Sequence, residues 1–115
     1  MNYPVGTILK RPLTGLPGWF CFHWGVYVGE GKVIHFNGLE KKSPWAVLRL
    51  DSVEGFREGQ SISVVEMPAD ERRGQEIGRR AYQALNDRRR NGFDGRYCFF
   101  TNNCQDFCVW CQRKG

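Results

Sequence analysis

The chain has 115 residues, of which 41% are hydrophobic, 14% aromatic and 25% charged, a profile that fits one soluble globular domain (1–115) and excludes a disordered or fibrous chain. No apolar run approaches the roughly 18 residues of a membrane span, and Met-Asn-Tyr-Pro-Val-Gly opens without the basic and apolar segments of a signal peptide, so a cytoplasmic protein is expected. The net charge of +5, from 17 basic and 12 acidic residues, gathers in Arg72, Arg73, Arg79, Arg80 and Arg88-Arg89-Arg90, which read first as a solvated helix face and second as a contact for anionic lipid headgroups or nucleic acid.

Val5 to Lys10 is a short strand candidate, stopped at Pro12. Pro12 to Gly18 follows as a turn-rich loop carrying Leu13 and Leu16. Phe20 to Val28 is rich in aromatic and β-branched residues and reads as a strand. Gly29-Glu30-Gly31 marks a tight turn, and Lys32 to Phe36 returns as the second arm of a hairpin. Ala46 to Leu50 and Ser61 to Met67 are further strands, separated by a charged, glycine-containing turn region. A helix then runs from Pro68-Ala69-Asp70 to about Arg89, with Ile77, Ala81, Ala84 and Leu85 as its apolar stripe. Gly74 and Gly78 each cost such a helix about 1 kcal/mol against Ala, and on that face they permit close approach to the sheet. Gly92 and Gly95 bracket the exit turn. A second helix spans about Asn103 to Arg113, with Asn102 as N-cap and Gln105 in a capping-box position. Its stripe is Cys104, Phe107, Cys108 and Cys111. The whole is an α+β domain, a small antiparallel sheet packed against helices.

The two histidines of the chain, His23 and His35, both fall in the hairpin. Side chains alternate along a strand, so His23, Gly25 and Tyr27 share a face. A three-residue loop at 29–31 would pair Gly25 with His35 and make the two histidines diagonal neighbours. A two-residue loop would send them to opposite faces unless a bulge intervened. A joint role for the histidines therefore demands an odd-length loop or a bulge.

Five cysteines is an odd number and argues against a complete disulfide framework. Cys98, Cys104, Cys108 and Cys111 cluster, but their spacing inside a helix is not that of a zinc ribbon, and no metal or cofactor is expected. A thiol in the first turn of a helix feels the positive end of its dipole, which favours the thiolate. Cys104 has that position, whereas Cys108 and Cys111 look like small core residues. Cys21 shares the face of His23 and is a rival that parity alone leaves standing. Cys104 as nucleophile, His23 as general base and His35 as the group that orients it form a coherent set. The backbone N–H of Cys104 is a candidate oxyanion donor. The structural alternative is a pair of half-buried sheet histidines and a packed thiol.

The stretch Gly6-Thr-Ile-Leu and His23-Trp-Gly-Val-Tyr-Val-Gly-Glu-Gly-Lys-Val-Ile-His35 resembles the first half of the lecithin retinol acyltransferase-like domain. Asn103-Cys104-Gln-Asp-Phe107-Cys-Val-Trp-Cys-Gln-Arg-Lys-Gly115 resembles its Asn-Cys-Glu-His-Phe segment. The resemblance implies Cys104, His23 and His35 as the triad. It also implies a permuted papain-like, NlpC-type fold, with the histidine strands preceding the cysteine helix. Members cleave acyl esters through a thioester and pass the acyl group to water, an amine or an alcohol, commonly from phospholipid. Two departures are visible. Gln105 and Asp106 stand where Glu-His is usual, and no hydrophobic tail follows Gly115, which counts against a phospholipid donor.

The leading expectation is a cysteine acyl hydrolase or acyltransferase acting on an acyl ester, lipid in type; Leu13, Leu16, Trp19 and Phe20 read equally as core packing around the hairpin and as the rim of a peripheral membrane contact, with arginines on the headgroups. A peptidase, amidase or isopeptidase with the same triad comes second. A non-enzymatic basic binding domain comes third, and nucleic acid is not the expected partner.

Overall fold

A computed structural model describes residues 3–12, 22–38, 45–86, 94–96 and 104–113. Among them lie strands β1 (Ile8–Pro12), β2 (Phe22–Gly29), β3 (Lys32–Gly38), β4 (Trp45–Ser52), β5 (Ser63–Glu66) and β6 (Asp94–Arg96), and helices α1 (Val53–Arg57), α2 (Glu71–Asn86) and α3 (Cys104–Gln112). The strands form one sheet in the order β5-β1-β2-β3-β4-β6, with neighbours antiparallel throughout. The domain is thus a small α+β fold, as expected from sequence. The turn-rich loop, Cys21, Arg88 to Arg90, Cys98 and Asn102 lie outside the described residues.

Alternation divides the sheet's buried side chains between two cores. Ile8, Val26, Ile34, Phe36 and Leu48 pack against Ile77, Ala81 and Ala84 of α2 and Phe107, Cys108 and Cys111 of α3. Leu9, Tyr27 and Val33 face the other way and pack against Val53 and Phe56 of α1. The stripe expected on α2 is therefore buried, with Leu85 partly buried beside it. Cys108 and Cys111 are fully buried.

Helix α1 replaces part of the expected turn region. Ser52 caps it by accepting a hydrogen bond from the Gly55 N–H at 3.0 Å, and Glu58 ends it at a left-handed φ of 48°. One turn is too short to show a helical period, although a Ser followed by Glu54 is a start signal. Strand β6, three residues long, takes the place of part of the expected exit turn, and its length hides it in the same way.

Helix α2 comes close, where glycine allows it, not to a strand as expected but to the turn before β1. A Cβ on Gly74 would stand 2.1 Å from the Val5 carbonyl oxygen, and one on Gly6 would stand 2.6 Å from the Gly74 Cα. Gly6 itself has φ +92°, a region that side chains disfavour. The backbone of this segment is held to β2 by Gly6 N–H to Tyr27 O at 2.8 Å and Tyr27 N–H to Thr7 O at 2.9 Å.

The histidine hairpin has the two-residue turn and the bulge. Val26 pairs with Ile34 and Tyr27 with Val33, then Gly29 with Lys32, so Val28 is the extra residue. Glu30 and Gly31 have φ of 54° and 70°, the pattern of a type I′ turn. The bulge restores the parity that the turn alone would have lost. Continued from Val26 and Ile34, the register sets Gly25 opposite His35.

Candidate active site

His23 and His35 come together on the α1 face of the sheet, each 3% exposed. His23 Nε2 lies 2.7 Å from His35 Nδ1, the rings crossing at 80°. The other nitrogen of His35, Nε2, lies 2.6 Å from Asp51 Oδ2 on β4. The register of β3 and β4 pairs Val33 with Asp51 and His35 with Arg49, so Asp51 is the diagonal neighbour of His35 and within reach of its ring. Three adjacent strands thus each give one side chain to a line of hydrogen bonds running across the sheet.

Phe56 roofs this line, with ring centroids 5.6 Å from His23 and 5.2 Å from His35. Gly25 makes room for it: a Cβ there would stand 2.5 Å from Val33 Cγ1, 2.9 Å from Phe56 Cε1 and 3.3 Å from His35 Cβ. Arg11 sits opposite His23 on β1 and is 4% exposed. Its guanidinium donates to the Phe56 and Pro12 carbonyls at 2.5 and 3.1 Å and pairs with Glu58 at 3.3 Å. A buried cation is tolerated only with such partners.

The electrostatics keep the pair neutral. Burial pushes His23 well below the ordinary histidine value, and the nearby His35 and Arg11 push the same way. Burial also lowers His35; the Asp51 hydrogen bond and charge oppose this, while Arg11 and Arg49 add to it. The Cys111 thiol is pushed far up by burial, which removes it as a nucleophile near neutral pH.

Cys104 opens α3, the helix position assigned to it from sequence; its side chain lies outside the described residues. The body of α3 packs on the face opposite the histidines. His23 is the second residue of β2, close to the end of that strand. Asp51 and Arg11 escaped the sequence reading, since each looks like an ordinary charge on a strand. Parity between β3 and β4 could have flagged Asp51, had the register across the 39–44 connection been readable.

The arginines of α2 are partly consumed by structure. Arg73 pairs with Glu76 at 3.1 Å. Arg80 lies 4.2 Å over the Trp110 ring and donates to the Trp110 carbonyl at 3.0 and 3.2 Å, satisfying a last-turn carbonyl of α3. The groove along the exposed face of α2 mixes Asp70, Glu71 and Glu76 with Arg72 and Arg79. No helix among the described residues is long and apolar enough to cross a membrane.

A family model for lecithin retinol acyltransferase matches residues 13–114. The chain belongs to the lecithin retinol acyltransferase family. That span includes both histidine strands and the whole of α3, so the family match and the histidine line cover the same region. Membership in the lecithin retinol acyltransferase family is consistent with cysteine acyltransferase or acyl hydrolase chemistry. A search of curated proteins returned no match.

Proposed function

We propose that this chain is a thiol-dependent acyl hydrolase or acyltransferase acting on acyl esters of lipid type, with Cys104 as nucleophile, His23 as general base and His35 as its partner. The observation that carries the proposal is the 2.7 Å contact between the buried rings of His23 and His35. Family membership and the place of Cys104 at the start of α3 support it. A permuted papain-like arrangement belongs to the same proposal, since β2 and β3 precede α3 in the chain.

The chemistry follows from the neutral state of His23. A neutral imidazole accepts the Cys104 thiol proton, which a charged one does not. The thiolate attacks the acyl carbonyl, and the tetrahedral oxyanion collapses by breaking the bond to the alkoxide. The leaving alkoxide takes the proton from His23 and departs as alcohol. Water or another acceptor then attacks the thioester, giving its proton to His23 and returning the thiol. His35 bears on the imidazolium formed in between. Reaching His23 requires the first turn of α3 to stand past the end of β2.

The test is intact-mass spectrometry after incubation with short-chain and long-chain acyl esters and the matching amides, on wild type and Cys104→Ala. An acyl adduct on the wild type alone, formed from esters, is the expected result. His23→Gln is expected to slow Cys104 alkylation at neutral pH. No adduct, or an adduct that survives in Cys104→Ala, would sink the proposal. An adduct from amides only would redirect it to amidase chemistry.

A further inference from the structure

We infer that Asp51 is a positioning residue for this site: through His35 it sets which ring nitrogen of His23 carries the proton. The inference deepens the proposed reaction and rests on His23 being its base. The geometry is a series of two short contacts, Asp51 Oδ2 to His35 Nε2 at 2.6 Å and His35 Nδ1 to His23 Nε2 at 2.7 Å.

Hydrogen-bond bookkeeping gives the line a direction. A carboxylate only accepts, so the proton between Asp51 and His35 belongs to His35 Nε2. A neutral imidazole carries a single N–H, which leaves His35 Nδ1 as an acceptor. The proton in the second contact therefore belongs to His23 Nε2. His23 Nδ1 is then the unprotonated nitrogen, the one with a lone pair to take a thiol proton. Reverse the first contact and every later one reverses with it. A donor at position 51 would place the His35 proton on Nδ1 and the His23 proton on Nδ1, and the base would be blocked.

Asp51 suits this task by its position. Its side chain is 24% exposed while that of His35 is 4% exposed, so the carboxylate reaches the solvent boundary with one oxygen on the ring. Its other oxygen lies 3.7 Å from the half-exposed Arg49. Among the described residues, the titratable and charged groups around His35 are Asp51 and Arg49 of β4, Arg11 of β1 and the neutral His23 of β2, with Glu58 beyond Arg11 after α1. Asp51 is the acid that touches it.

The experiment reads the tautomers directly, by 15N NMR of the imidazole nitrogens in wild type, Asp51→Asn, Asp51→Ala and Asp51→Glu near neutral pH. In wild type both rings are expected to be Nε2–H, with Nδ1 unprotonated. In Asp51→Asn, whose amide can donate, Nδ1–H signals are expected at His35 and His23; Asp51→Ala, which neither donates nor accepts, is expected to give a mixture of the two tautomers, and Asp51→Glu to restore the wild-type pattern. Single-turnover acylation of Asp51→Asn should fall by about 10²-fold at unchanged substrate KM, less than the roughly 10⁴-fold cost of a wrong tautomer when the acid touches the base itself. Loss of the Arg49 pair alone would lower the melting temperature without changing either ring. Wild-type His35 found as Nδ1–H, or tautomers unchanged in Asp51→Asn and Asp51→Ala, would overturn the inference. So would altered tautomers with acylation undiminished. The NMR result stands whether or not Cys104→Ala forms an adduct, so a failure of this inference is distinguishable from a failure of the thioester reaction.

Discussion

Gly25 shows how one missing side chain can set the geometry of two imidazoles. The ring of Phe56 occupies the space over Gly25, and the same ring is the roof of the histidine pair. Gly25→Ala would drive a methyl group into Val33 and Phe56, both fully buried. Overpacking of this kind costs about 1–3 kcal/mol, and here the displaced ring is the one that holds His23 and His35. The expected outcome is a lower urea midpoint together with weaker acylation; a variant as stable and as active as wild type would mean that the roof plays no part. At this scale the sequence was legible for the histidines, because alternation and a parity rule are local. It was not legible for Asp51 or Arg11. Their partners lie on other elements: across the β3–β4 pairing for Asp51, and at the Phe56 carbonyl of α1 and Glu58 just after it, far along the chain, for Arg11. A charged residue on a strand carries no mark of such a partner.

Two glycines of α2 separate propensity from packing. Either change to Ala gains about 1 kcal/mol of helix propensity. The obstacles differ: at Gly74 the new Cβ meets the Val5 carbonyl at 2.1 Å, a backbone atom, whereas at Gly78 it meets the Val5 Cγ1 at 2.9 Å, the end of a side chain. Gly74→Ala is therefore expected to destabilise by about 1–3 kcal/mol as α2 is pushed off the Val5–Gly6 segment, and Gly78→Ala to be close to neutral. Equal midpoints for the two in chemical denaturation would refute the close approach. That these glycines permit such an approach was readable from their place on the apolar stripe; that the partner would be the turn before β1, rather than a strand, was not. The hairpin was more completely legible. Joint action of the histidines demands a bulge or an odd loop, and the bulge at Val28 answers that demand. Helix α1 and strand β6 escaped because five and three residues are too few for a pattern to repeat.

For the molecule as a whole, the buried neutral histidines make stability depend on pH. Their folded-state values lie below the ordinary 6.5, chiefly through burial. The unfolded chain therefore binds more protons than the folded one in the window below that value. Stability is fully present above about pH 6.5 and is lost as pH falls toward the folded values. Each tenfold difference in proton affinity between the two states is worth about 1.4 kcal/mol. Urea midpoints are expected to fall between about pH 7.5 and pH 5.5, and the fall to shrink in His23→Gln. A wild-type midpoint flat across that range would contradict the neutral, buried pair. The two-sided sheet has one more consequence. Along β2 and β3 the even-numbered side chains Val26, Ile34 and Phe36 hold α2 and α3, while odd-numbered His23 and His35 carry the proton line and odd-numbered Gly25 leaves it room. The hairpin is thus two interleaved messages in one stretch of chain, separated by parity alone. Selection can rewrite the adhesive message and leave the proton line unedited, whereas one inserted or deleted residue would exchange the two and garble both.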